Sequence, residues 1–215
     1  MVLGKEKKLV MTGDSITDFE RKRPVGEGLF EAMGHSYVAL VDAFLKNWYP
    51  ASRIRIVNMG NSGDTIRDLK KRWHSDVLDL NPDWVSILIG VNDVWRQFDS
   101  PLRPEEHVYP EEYRETLDQL VQFTRKEVEG VILLTPFYME PNPGEPMRKM
   151  MDRYGTIVRE TAKKHECILV DLQERFNEYL QHYSAQSISW DRIHPDIVGN
   201  TIIARAFLDA LDFEW

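Results

Sequence analysis

A single cysteine, Cys167, is all the chain contains, so no intrachain disulfide can form and the fold has to hold through its core. It sits in the apolar run Cys167-Ile168-Leu169-Val170 and reads as a small buried hydrophobe rather than a reactive thiol. Clusters of Cys and His are missing as well, and with them any signature of a metal site; no cofactor is expected. No apolar stretch approaches the length of a membrane span. Near the N-terminus the apolar run is only Leu9-Val10-Met11, too short for the hydrophobic region of a signal peptide, and a cytoplasmic location is the expectation. An excess of positive charge is also lacking: 27 Lys and Arg face 35 Asp and Glu, a formal net charge of -8. That balance argues against a nucleic acid or an anionic membrane as partner, since both attract basic surfaces. It argues mildly against a highly anionic substrate too. Repeats, low-complexity tracts and linkers are absent. The 215 residues, 42% hydrophobic and 29% charged, fit one globular domain spanning 1–215.

Short β-rich runs alternate with longer helical patterns. The strands are read at Leu9 to Thr12, Ile54 to Asn58, Trp84 to Ile89, Val131 to Thr135 and Ile168 to Val170. They are nearly continuously apolar, as strands covered on both faces are. Helical patterns run from Ser36 to Trp48, Thr65 to Leu80, Glu111 to Val128, Arg148 to His165 and Gly199 to Leu211. Strand alternating with helix predicts right-handed βαβ units and an α/β fold with a central five-stranded parallel sheet. Phe137 to Met147, with Pro141, Pro143, Gly144 and Pro146, reads as a surface loop. In such sheets, sites form beyond the carboxyl ends of the strands. The residues there are Gly13-Asp14-Ser15, Met59-Gly60-Asn61-Ser62-Gly63, Gly90-Val91-Asn92-Asp93, Pro136-Phe137-Tyr138 and Asp171.

Ser15 on its own reads as a turn or helix-capping serine. A serine hydroxyl becomes a nucleophile only when a base takes its proton and a third group orients that base. Of the six histidines, His35 and His107 lie in loops, and His74, His165 and His182 fall within helical patterns as surface residues. His194 differs: it lies outside regular structure in Trp190-Asp191-Arg192-Ile193-His194-Pro195. Asp191, three residues earlier, can face the same way and hold one ring nitrogen while the other points at Ser15. Asp171 competes for the acid role, with helix capping as its plainer reading. Charge developing on a carbonyl oxygen needs fixed donors. The Ser15 and Gly63 backbone N–H groups and the Asn92 side-chain amide are the candidates, although a tight turn and loop stabilisation account for Gly63 and Asn92 equally well. Gly63 lets a substrate approach without a Cβ in the way.

Together these residues resemble the SGNH, or GDSL-type, hydrolases. Gly13-Asp14-Ser15-Ile16-Thr17-Asp18 is similar to the first block of that family, and Asn58-Met59-Gly60-Asn61-Ser62-Gly63-Asp64-Thr65 to the second. Gly90-Val91-Asn92-Asp93 resembles the third, and Asp191-Arg192-Ile193-His194 the last. The blocks keep the family's order across most of the chain. The resemblance implies a three-layer α/β/α sandwich, flavodoxin-like, with Ser15 as nucleophile, His194 as base, Asp191 as its orienter, and Ser15, Gly63 and Asn92 as oxyanion donors. Gly90 to Gln97, Thr135-Pro136-Phe137-Tyr138, Trp190 to Pro195 and the terminal Phe213-Glu214-Trp215 further resemble intracellular bacterial acetylxylan esterases of this superfamily. That implies a small acetylated sugar as substrate and a homo-oligomer. Trp95, Arg96, Tyr138 and Trp190 are the candidate sugar-binding residues, with core or subunit packing as the alternative for the aromatics. Charged loops such as Glu20-Arg21-Lys22-Arg23 disfavour a long acyl chain. A thioesterase, lysophospholipase or arylesterase keeps the same triad with another ester, and a non-catalytic carbohydrate-binding protein keeps only the fold.

Overall fold

The computed structural model describes all 215 residues, Met1–Trp215. Its strands are β1 (Lys8–Gly13), β2 (Arg55–Gly60), β3 (Trp84–Leu88), β4 (Gly130–Leu134) and β5 (Ile168–Val170). They form one sheet in the order β2-β1-β3-β4-β5, and every pairing is parallel. The helices are α1 (Ser15–Asp18), α2 (Tyr37–Trp48), α3 (Ile66–Lys71), α4 (Trp73–Asp76), α5 (Val91–Asp99), α6 (Pro110–Thr124), α7 (Pro146–Lys164), α8 (Leu172–Leu180) and α9 (Ile197–Asp209). Leu9, Val10 and Met11 of β1 and all of β3 are buried, so continuous apolar runs are what a doubly covered sheet demands.

Helices α1, α2, α8 and α9 pack with one another on one side, and α3 through α7 on the other. That is the three-layer, flavodoxin-like arrangement. The strand order reverses between β1 and β3, and in this class of sheet a crevice opens there, beyond the carboxyl ends. Gly13 pairs with Gly60 on one side and with Leu88 on the other, so the three strand ends finish level beneath the crevice.

Local chemistry sets the helix starts. Ser36 caps α2 by accepting from the Val38 N–H at 3.2 Å, and Val38, Val41 and Leu45 present its buried stripe. Asp196 caps α9, accepting from Val198 and Gly199. Pro146 opens α7, a position where its missing N–H costs nothing.

Three sequence expectations need correction. Thr65 to Leu80 is not one helix: it breaks at Arg72, which ends α3 and begins α4, because the Arg72 side chain turns inward toward the strand ends. Helices α5 and α8 lie outside the five helical segments read from the sequence; α5 is short, and its buried face is confined to Val91–Val94. Strand β2 runs through Met59 and Gly60, two residues expected in the following loop. Gly60 continues the strand because α1 lies directly over it, and a Cβ there would meet the Asp18 backbone nitrogen at 2.2 Å.

Candidate active site

Chain leaving β1 enters α1 through Asp14, whose carboxylate accepts from the Ile16 N–H at 3.0 Å. This cap places Ser15 as the first residue of the helix, at the mouth of the crevice. Burial pushes the Asp14 carboxyl up to about 7, since a charge there would lose its hydration.

His194 arrives from the loop before α9. Its Nε2 lies 2.8 Å from the Ser15 Oγ, and its Nδ1 lies 2.6 Å from Asp191 Oδ2. The other Asp191 oxygen accepts from the Ser189 hydroxyl at 3.0 Å, the Ile193 N–H at 2.9 Å and the His194 N–H at 2.8 Å. Burial acts to raise the Asp191 pKa, but the hydrogen bonds from His194 and the two backbone N–H groups outweigh it and hold the carboxyl below its ordinary value. A carboxylate fixed in this way orients the imidazole and supports its charged form. The loop itself is braced from outside. The Met139 N–H donates to the Arg192 carbonyl at 2.9 Å, and the Arg192 guanidinium pairs with Glu140.

Ser15, Gly63 and Asn92 each follow a strand at this edge of the sheet. Neither the Ser15 N–H nor the Gly63 N–H donates to any protein group. The Asn92 amide, on the first turn of α5, spends one hydrogen on the Asp64 carbonyl at 2.9 Å and keeps one free. Gly63 has φ +86, and a Cβ there would touch nothing within 4 Å. Its need for glycine is therefore conformational, since a Cβ would meet open space. The preceding Ser62 is tied to Asp18 through both its N–H (3.0 Å) and its hydroxyl (2.7 Å), which anchors this loop to α1.

The remaining candidates divide. The Trp95 ring centroid lies 6.0 Å from that of His194, forming a wall beside the base. Arg96 stacks over Trp95 at 5.4 Å and pairs with Asp99, so its charge is already engaged. Gln173 grips the Tyr138 backbone at both its N–H (2.8 Å) and its carbonyl (3.2 Å). The phenol sits beside Arg192, with burial raising its pKa. Trp190 is 85% exposed and lines, with Phe19, His35 and Ile197, a groove that reaches His194. Asp171 is not the triad acid: it caps α8 and is held by Arg159 at 2.6 and 2.9 Å. No group of His, Cys, Asp and Glu side chains is arranged to hold a metal.

Sequence reasoning passed over Asp64, Arg72, Glu140, Gln173 and Ser189, which brace the site from elsewhere. Asp64 stands within the second motif block, and nothing in the sequence set the other four apart.

Residues 11–202 match the model of the GDSL-like lipase/acylhydrolase family. The chain belongs to that family. Over 215 residues it is 51% identical to the acetylxylan esterase of Geobacillus stearothermophilus, covering 100% of this chain and 98% of that protein. The crystal structure of that esterase superposes with a TM-score of 0.99 at 51% identity, again with 100% and 98% of the two chains covered. An α/β hydrolase from the metagenome of Lake Arreo, Spain, superposes with a TM-score of 0.96 at 53% identity over 97% of this chain and 96% of its own. Catalytic mutants of the Geobacillus esterase have been solved as S15A, D191A and H194A, and in this family member the same three positions carry the hydrogen-bonded Ser15, Asp191 and His194. The chain is accordingly a carboxylic ester hydrolase with a serine–histidine–aspartate catalytic set.

Proposed function

We propose that the protein removes O-acetyl groups from short xylo-oligosaccharides through an acyl-enzyme on Ser15. The observation that carries this reading is the unbroken relay from Ser15 through His194 to Asp191, at 2.8 and 2.6 Å, in a chain 51% identical along its whole length to an acetylxylan esterase.

His194 takes the Ser15 proton as Oγ attacks the ester carbonyl, and the resulting imidazolium is held by Asp191. The carbonyl oxygen becomes an anion against the Ser15 and Gly63 N–H groups and the free Asn92 hydrogen. The C–O bond to the sugar breaks, and the sugar oxygen takes the proton from His194. Water then attacks the acetyl-serine with His194 again as base, releasing acetate and restoring Ser15. Trp95 closes one side of the base and favours a small acyl group. Tyr138 and the exposed Trp190 offer ring faces to a sugar, and Arg96 stacks on Trp95. The protein is also proposed to assemble with copies of itself, because Trp48, Trp190 and Trp215 are all exposed and large exposed apolar side chains mark association surfaces.

Assaying acetylated xylo-oligosaccharides alongside nitrophenyl esters of increasing chain length tests the reading. Acetyl esters should be turned over fastest, and fastest of all on a xylose unit. A preference for long chains, or for thioesters, would remove the proposal in favour of a lysophospholipase or thioesterase. Absence of Ser15 labelling by a fluorophosphonate would leave only a non-catalytic binding protein.

A further inference from the structure

Ser15, Gly63 and Asn92 rise from three different strand ends, and their relative placement is not set by any one of those strands. A single side chain links them. Arg72, at the bend between α3 and α4, is only 14% exposed because its guanidinium points back under the site. Its Nη2 donates to the Gly13 carbonyl at 2.9 Å, two residues before Ser15. Its Nη1 donates to the Met59 carbonyl at the end of β2 at 2.7 Å, and to Asp76 at 3.1 Å. Its Nε donates to Asp64 Oδ2 at 2.6 Å.

Asp64 then distributes the constraint. It follows Gly63 in the chain, and its side chain is 7% exposed. Its second carboxylate oxygen accepts from the Asn61 amide at 2.6 Å, and its backbone carbonyl accepts from the Asn92 amide at 2.9 Å. Asn61 in turn donates its N–H to the Gly13 carbonyl at 2.9 Å, the same oxygen that Arg72 holds. Each oxyanion candidate is thus tied to the Arg72–Asp64 pair: Ser15 through the Gly13 carbonyl, Gly63 as the residue before Asp64, and Asn92 through the Asp64 carbonyl.

We propose that Arg72 and Asp64 are positioning residues for the oxyanion donors, fixing the Ser15 N–H, the Gly63 N–H and the Asn92 amide in mutual register; this rests on the assignment of those three groups under Proposed function. The residue types suit the task. A guanidinium carries its donors in a rigid plane and can hold two carbonyls and a carboxylate at fixed angles, whereas a lysine ammonium is a point charge on a flexible stem. Transition-state stabilisation by preset dipoles depends on their placement to within fractions of an ångström. A pair that only stapled the loop would affect folding and leave turnover alone.

Arg72→Lys and Asp64→Asn, with Asn92→Ala as reference, separate these roles on an acetyl ester. Arg72→Lys is expected to lower kcat roughly 10- to 100-fold, as small misplacements near a reacting centre do, with KM nearly unchanged. In the Arg72→Lys/Asn92→Ala double variant the combined loss should fall short of the product of the single losses, because both changes damage one device. Asp64→Asn keeps the acceptor for Asn61 but turns an amide N–H toward Arg72, and should behave like Arg72→Lys. Normal kcat in both single variants with a lowered melting temperature overturns the proposal, as does failure of both to fold, since either assigns the pair to stability. Were Asn92→Ala itself as fast as the unmodified protein, the oxyanion reading would fall first, whatever Arg72 does.

Discussion

At Ser15 the decisive quantity is a 2.8 Å contact to a histidine 179 positions away, and replacement of either partner removes the only path for the proton. Ser15→Ala and His194→Ala should each lower kcat by several orders of magnitude with little change in melting temperature. Asn92→Ala should cost about 10²–10³ in kcat, the usual loss for one oxyanion donor. Protonation matters at two buried acids beneath the site. Burial pushes Asp93 up to about 8 and Asp14 up to about 7, against an ordinary value near 3.8. The folded state therefore holds protons that the unfolded chain has released. The neutral forms contribute stability below about pH 4, and that contribution is lost as pH rises through the folded values near 7 and 8. One Asp93 oxygen accepts from the Ile66 N–H at 3.0 Å, while the other is buried without a partner. Asp93→Asn preserves the acceptor and cannot ionise. Its melting temperature relative to the unmodified protein should climb from pH 5 and level off above about pH 8; a pH-independent difference would count against a neutral Asp93. Asp191 behaves in the opposite sense: its depressed pKa makes its contribution available above the ordinary carboxylate range and lost on acidification.

Among the elements, the loop between β2 and α3 shows how backbone rather than side chains shapes the site. Gly60 closes the strand before it, Gly63 lies within it, and the two are glycine for different reasons. At Gly60 a Cβ would lie 2.2 Å from the Asp18 nitrogen, so Gly60→Ala must push α1 off the sheet and should abolish soluble, active protein. At Gly63 a Cβ meets open space at φ +86, so Gly63→Ala should fold with a strain of about 1–2 kcal/mol, a fall of a few degrees in melting temperature for a chain of this size. Its catalytic loss should exceed its stability loss, because the new methyl group enters the space kept for substrate. Thermal melts and kcat on the two variants distinguish these cases.

For the molecule as a whole, the sheet order places the first and third strand ends side by side, and the oppositely packed helix layers leave a crevice between them. The net charge of -8 has no steering role toward an uncharged acetylated sugar. The kcat/KM for such a substrate should change little between about 10 mM and 1 M salt, a range over which screening of exposed charges changes greatly. Sedimentation should show a species larger than one chain. A monomer at all concentrations would leave the exposed Trp48, Trp190 and Trp215 to be explained by substrate binding or by chance exposure.

The sequence alone determined the parallel α/β architecture, because short, nearly unbroken apolar runs of the kind doubly buried strands require alternate with longer helical patterns along the chain. It also supplied the triad and the oxyanion candidates, because Ser15, Gly63 and Asn92 follow strand ends in short local patterns, and Asp191 and His194 are close enough in the chain to pair unaided. Tertiary structure decided what depends on distant segments meeting: the break of a helix at Arg72, and the bracing of the catalytic loop by Glu140. Arg72 reads in the sequence as a charge on a helix surface. Only when the ends of β1 and β2 meet the loop that carries Asp64 does its guanidinium find the two carbonyls and the carboxylate that draw it inward, a geometry no local pattern encodes.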